Sequence, residues 1–312
     1  MSALGPARAD DAAAAARDPA QFAANHGAAT VDELTRELAA RAGELTSAET
    51  ASLLNDLGNA YMSLDEPLRG LAAFADARRL APPRTPLGVI AGVNVARALQ
   101  DNGVDQGLPA RLAALDSAAR ALDPSATQAR IFLSLAELYR DAYAREPLRG
   151  ELMRGAAGLA EAARAFAESD DDALLLGEAH GALGLARAAQ GSLDDALAQT
   201  RKAVTLAQSA GANDSLYRWE WQAGRLLRSK GDVDAALASY SAAIESLGAT
   251  QIATAQSRSG FAKNVLPLYE EYADLMLVRS RTLGPTAAEA ALRDVQRTLE
   301  GLRVAEVRNY FE

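Results

Sequence analysis

The chain has no cysteine, which excludes disulfides, thiolate metal sites and a cysteine nucleophile. Its only histidines are His26 and His180, so most metal and acid–base constellations lack their raw material, and no cofactor or metal is expected. Aromatic residues make up 5% of the 312 residues, and β-branched residues are sparse, which argues against strands. No apolar run approaches the roughly 18 residues of a membrane-spanning helix, so no membrane partner is expected. Cations are outnumbered, 32 Lys and Arg against 41 Asp and Glu, for a net charge of −9. A nucleic-acid binder needs many uncompensated cations to displace counterions from phosphates, so nucleic acid is excluded as a partner. Lysine is confined to Lys202, Lys230 and Lys263.

What remains is rich in Ala, Leu, Arg and Glu. The bias towards Ala and Arg reads as genomic base composition, but these are strong helix formers, so an all-α chain follows. At 312 residues the chain exceeds what one hydrophobic core usually supports, which leaves two domains or a repeat array. The repeats are visible. Leu54, Leu57 and Tyr61 surround Gly58, and Gly70, Phe74, Ala77 and Pro82 follow it by 12, 16, 19 and 24 residues. Ala196, Thr200 and Ala203 follow Gly184 by 12, 16 and 19, and Ala236, Tyr240 and Ala243 follow Gly224 likewise. Small residues at such positions let two antiparallel helices touch backbone to backbone, the aromatic fills the space beside the crossing, and Pro82 ends the second helix.

The pattern resembles the tetratricopeptide repeat, a helix–turn–helix unit of about 34 residues. Ala136, with Phe132, Leu135 and Tyr139, marks a further unit, and Ala96 a degenerate one. Ala136 and Gly184 are 48 residues apart; Ala162 and Phe166 restore the small-to-aromatic step, which places the extra residues between the two helices of that unit. The expected fold is a right-handed α-solenoid of about five such helix pairs, with an amino-terminal capping helix and a carboxy-terminal helical hairpin. Residues 1–20 read as a disordered tail, 21–250 as the superhelical array, and 251–312 as the hairpin or linker. The expected compartment is cytoplasmic by default, or periplasmic or secreted if a leader was removed.

Local signals set the boundaries. Thr46 with Glu49, Ser125 with Gln128 and Thr286 with Glu289 read as capping boxes, and Thr85 before Pro86 as a cap with proline in the first turn. Gly191-Ser192 and Gly231-Asp232 read as tight turns. A helix from Thr30 to about Leu45 would cap the array. Residues Ala255 to Leu283 would form a long helix broken near Pro267, and a last helix from Thr286 to about Tyr310 would bury Leu292, Val295, Leu299, Leu302 and Tyr310.

The run Leu302-Arg303-Val304-Ala305-Glu306-Val307-Arg308-Asn309-Tyr310-Phe311 resembles the segment joining tetratricopeptide arrays to CHAT domains, which are caspase-like peptidases. That resemblance implies a caspase-like peptidase domain in cis or in trans, and a regulatory arm as an alternative function. With no Cys in the chain, no catalytic residue carries over.

The resemblance to the repeat family implies that the first helix of each unit lines a concave groove that binds a peptide or protein, making the chain a non-catalytic interaction module. In the fifth unit Arg218, Trp221, Arg225 and Arg228 recur at three- and four-residue spacing on one face, which suits an acidic or carboxylate-bearing peptide: Arg pairs bidentately with carboxylates and Trp is a rigid apolar platform. The other reading is that these arginines pair with acids such as Glu178 and Glu220, or simply keep the array soluble. Asn55 and Asn59 take the inward face of the first unit, where amides bond a peptide main chain as donor and acceptor; Arg130 and Arg140, with Glu137, take that of the third. His180 reads as a core residue and Asp170-Asp171-Asp172 as a solvated turn, since it lacks the Gly and distal Glu of a calcium loop.

Overall fold

A computed structural model describes residues 27–104, 106–249 and 258–311. Every regular element among these residues is an α-helix, as the composition requires. The expected tail over 1–20 lies outside the described residues. The chain divides into two compact units, Met1–Leu152 and Met153–Glu312.

The amino-terminal unit holds α1 (Gly27–Ala40), α2 (Ser47–Ser63), α3 (Pro67–Leu80), α4 (Pro86–Asp101), α5 (Leu108–Arg120) and α6 (Ala126–Arg145). Helix α1 is the expected cap. Its Val31 and Leu34 pack with Leu57, Ala60 and Tyr61 of α2 and Ala73 of α3. It starts and ends a few residues earlier than the Thr30 to Leu45 span read from the sequence. Helix α2 begins at a complete capping box: Thr46 Oγ1 accepts from the Glu49 amide at 3.2 Å, and the Glu49 carboxylate accepts from the Thr46 amide at 2.8 Å. That reciprocal pair satisfies two otherwise orphan donors. At Ser125 only half the box forms. Ser125 Oγ accepts from the Gln128 amide, but the Gln128 side chain donates to the Ala119 and Leu122 carbonyls at the end of α5, because buried carbonyls there need a donor.

The pairing of α2 with α3 shows why the anchor is glycine. A Cβ on Gly58 would stand 2.4 Å from Phe74 Cε1, so the ring of the residue 16 positions on lies directly over the missing side chain. Phe74 is 3% exposed and Ala77 is fully buried; burying a ring of that size contributes about 1.5–3 kcal/mol.

Helix α7 (Gly150–Asp170) crosses the division between the units. Only four residues separate it from α6. The long spacing from Ala136 to Gly184 is therefore absorbed by the helices themselves, 20 residues in α6 and 21 in α7, and not by the connection between them. The Ala-rich, strongly helix-forming sequence of residues 126–170 explains this, since nothing in it halts propagation until Glu146. Asp171 then turns with a positive φ of 55°, and Asp172 caps the next helix by accepting from the Leu175 amide.

The carboxy-terminal unit continues with α8 (Ala173–Ala189), α9 (Leu193–Ser209), α10 (Asn213–Ser229) and α11 (Val233–Ala249). Gly191, Gly211 and Gly231 make the connections at φ of 64° to 81°, the left-handed conformation that glycine adopts without penalty. Gly224 repeats the Gly58 arrangement: its Cβ would lie 3.1 Å from the Tyr240 ring, with Ala236, Tyr240 and Ala243 all fully buried. At Gly184 the neighbours are polar, Thr200 Oγ1 and Gln222 Nε2, each 2.5 Å from the Cβ position, and Gln222 donates to Thr200 at 2.6 Å.

The terminal segment comprises α12 (Arg258–Asn264), α13 (Leu266–Ser280) and α14 (Pro285–Phe311). The break between α12 and α13 falls at Val265, two residues before Pro267, as the proline predicted. Helix α13 packs its Leu268, Tyr269, Tyr272 and Leu275 into one cluster with Tyr240, Leu247 and Phe261, so the hairpin extends the carboxy-terminal unit. Two expectations for α14 are corrected. The helix starts at Pro285, with the Ala288 amide donating to the Gly284 carbonyl, so Thr286 lies inside the first turn. Val295 and Leu302 are buried, but Leu292 is 47% and Leu299 39% exposed, because the buried stripe is narrower than the run of apolar residues. The Tyr310 side chain lies outside the described residues.

Candidate peptide-binding surface

The candidate residues fall into two groups, one in each unit. In the carboxy-terminal unit the stripe on α10 exists, and it is occupied by the protein's own carboxylates. Glu271 of α13 accepts from Trp221 Nε1 at 3.0 Å, from Arg225 Nε at 2.9 Å, from Arg225 Nη2 at 2.5 Å and from Tyr240 Oη at 3.0 Å. The Arg225 guanidinium also stacks on the Trp221 ring, 4.0 Å from its centroid. Burial pushes the Glu271 carboxyl up, but the Arg225 guanidinium, with the Trp221 and Tyr240 donors, outweighs it and holds the group below its ordinary range. Two turns before Arg225 on α10, Arg218 reaches Glu178 of α8 through Nη2 at 2.9 and 3.1 Å. Arg228 is exposed at the far end of the stripe, beside the Tyr240 hydroxyl, whose pKa burial and the Glu271 charge push up.

The expected pairing of the arginines with Glu178 is present. The one with Glu220 is not: Glu220 is 7% exposed and accepts from Ser246 Oγ of α11 at 2.7 Å. Burial raises its pKa, the Ser246 hydroxyl offsets part of that rise and neighbouring Glu245 adds to it. His180 is buried, with Nδ1 2.7 Å from Gln199 Oε1, and burial lowers its pKa.

In the amino-terminal unit the surface has a different chemistry. Asn55 and Asn59 stand one turn apart on α2 and so share a face. Asn55 is 1% exposed and its Oδ1 accepts from Asn94 Nδ2 of α4 at 2.8 Å. The Asn55 carbonyl is thus committed to a helix-to-helix bond, which corrects its expected role as a free peptide acceptor. Asn59 is 7% exposed, and its buried Nδ2 has no hydrogen-bond partner. On the same side, Arg97 of α4 donates to Glu137 of α6 at 3.1 Å, and Arg140 pairs with Asp141 at 2.8 Å and lies 3.8 Å from Glu137. Arg130 is exposed near the start of α6. Asn94 and Glu271 went unread in the sequence. A lone Asn inside the apolar run Val93-Asn94-Val95 is the signal that would have found the first, since a buried amide needs a partner. No local pattern marks the second, 46 residues from Arg225.

No family model matches the chain, and no curated protein does, so the CHAT-linked resemblance of residues 302–311 gains no support. Solved structures do match. TTC0263, a thermophilic TPR protein of Thermus thermophilus, aligns with a TM-score of 0.51 at 20% identity over 73% of this chain and 99% of its own. BtubC (BKLC) from P. vanneervenii aligns at 0.50 and 15% identity over 80% and 90%. Aspartyl phosphate phosphatase F from Bacillus subtilis aligns at 0.51 and 14% over 89% and 74%. Identities this low establish the helical-repeat fold and nothing finer. No described helix is long and apolar enough to cross a membrane.

Proposed function

We propose that this tetratricopeptide-type stack is a non-catalytic protein-interaction module, and that it holds the main chain of an extended peptide against α2, α4 and α6 of its amino-terminal unit. The observation that carries this reading is the buried, unpartnered Nδ2 of Asn59 beside the Asn55–Asn94 pair. An unsatisfied buried donor costs about 1–3 kcal/mol, and an Asn59 side chain turned outward onto a peptide carbonyl would recover it. The peptide is read by its amides rather than its charge, because Arg97 and Arg140 are already drawn onto Glu137 and Asp141.

The carboxylate chemistry expected of Arg218, Trp221 and Arg225 belongs to the same fold but is served from within by Glu178 and Glu271. An acidic partner at that stripe would have to displace them. The regulatory-arm reading rests on residues 302–311 alone, with no structural observation behind it, and is not carried forward.

The test is selection of a random displayed peptide library on the full chain. Enriched peptides should lose affinity about tenfold for Asn59→Leu, equal to about 1.4 kcal/mol, and bind Arg225→Gln as they bind the wild type. Peptides that ignore Asn59→Leu, or a library that yields none, would refute the assignment.

A further inference from the structure

A second surface lies on the other helices of the amino-terminal unit. Helices α3 and α5 both rest on α4, and between them is a cleft of about 460 Å³. Its walls carry Arg78 of α3, Gly88 and Val89 of α4, and Ala110, Arg111 and Ala114 of α5. Neither the Arg78 nor the Arg111 side chain has an ion pair or hydrogen bond among the described residues, and no carboxylate among them lines the cleft. In a chain of net charge −9, these two cations line one cavity together.

The cleft is shaped by small residues. A Cβ on Gly92 would meet Leu115 at 2.6 Å, so this glycine admits Leu115 of α5, and the Arg78 guanidinium lies within ordinary contact distance of the same spot, 3.8 Å away. A Cβ on Gly88 would stand 2.3 Å from the Pro82 carbonyl, so Gly88 admits the Pro82-Pro83 turn at the rim. Ala110 and Ala114, one turn apart on α5, leave the opposite wall open. Gly107, also in the lining, starts α5 at φ 74° with no side-chain cap and no acid in the first turn, so the positive end of that helix adds to the two arginines.

We infer that this cleft binds a small amphipathic anion: an oxyanion, carboxylate or phosphate, held by Arg78 and Arg111, with an apolar body against Val89, Ala110 and Ala114. Arg pairs bidentately with either oxyanion, and the volume falls within the range of ligand pockets, about 300–1,000 Å³. The site is separate from the proposed peptide surface on α2, α4 and α6, and stands or falls without it.

Calorimetric titration of the full chain with phenyl phosphate, phenylacetate and neutral benzyl alcohol tests it. Saturable binding of either anion at millimolar concentration or below is expected, with benzyl alcohol inert; phenyl phosphate alone would assign a phosphate ligand and phenylacetate alone a carboxylate. Arg78→Gln or Arg111→Gln should weaken the anion about tenfold, and Ala114→Trp, which fills the cleft from the exposed face of α5, should abolish binding with helicity unchanged. Binding of benzyl alcohol as tight as the anions, anion binding indifferent to all three substitutions, or no binding at all would overturn the proposal.

Discussion

Helix α2 of the amino-terminal unit and helix α10 of the carboxy-terminal unit solve one problem in opposite ways. In the carboxy-terminal unit, Arg218 and Arg225 are charged, exposed on one edge and tied to Glu178 and Glu271 of neighbouring helices. In the amino-terminal unit the corresponding contact is a neutral amide pair, Asn55 with Asn94, and the next amide, Asn59, is left over. A conspicuous row of arginines thus ties helices of the same chain together, whereas the inconspicuous asparagines leave one amide nitrogen without a partner among the described residues.

The largest expected break in this contrast is Glu271→Ala. It strips the acceptor from Trp221 Nε1, Tyr240 Oη and Arg225 at once, in a site where the Glu271 side chain is 24% exposed. Removing one partner of a half-buried ion pair costs about 2–4 kcal/mol, readable as a shift of the urea midpoint; a shift below about 0.5 kcal/mol would show that the cluster is not structural. Gly58→Ala comes next. The new Cβ meets Phe74, and overpacking of about 1–3 kcal/mol exceeds the helix-propensity gain of about 1 kcal/mol. Phe74→Leu in the same background should recover part of the loss, and a strictly additive double mutant would mean that the two residues do not touch.

Two carboxyls of the carboxy-terminal unit should give opposite pH responses. Glu271 is held below its ordinary value when folded, so its contribution is present above the unfolded carboxylate pKa and disappears as pH falls through the folded one. Glu220 is raised, so its cost sets in as pH climbs past the unfolded value and is complete above the folded one. Glu220→Gln should therefore stabilise at neutral pH by about 0.5–1 kcal/mol and change nothing in acid, where both forms are neutral; thermal melts at neutral and at strongly acidic pH that show equal effects would contradict this. The smallest effect belongs to Arg218→Gln. Its ion pair with Glu178 is 46% exposed on the Arg side, so a loss of only about 0.2–0.5 kcal/mol is expected by melts in low salt, and less in high salt.

Much of the fold was legible because its rules are local. The 16-residue step from Gly58 to Phe74 and from Gly224 to Tyr240 encodes a steric contact between a bare backbone and a ring, and the Thr46 cap and the Pro267 break act within a turn. The extension of α6 and α7 was misread because a period assumes equal units, while Ala-rich sequence propagates helix past it. Leu292 and Leu299 were misread because spacing places them on a face without stating how wide the contact is. The site was half legible. The sequence names Arg225 and Asn55 as inward-facing, but Glu271 and Asn94, which occupy them, come from distant segments that only packing brings near.

The most direct test of the contrast is a single titration of isotope-labelled protein with a selected peptide, following the Asn59 side-chain amide and the Trp221 indole N–H by NMR. The account predicts that the Asn59 resonance moves and saturates while the Trp221 indole, fixed on Glu271, stays in place. Movement of Trp221 with Asn59 unchanged would show that the arginine stripe, and not the asparagine wall, is where the partner binds.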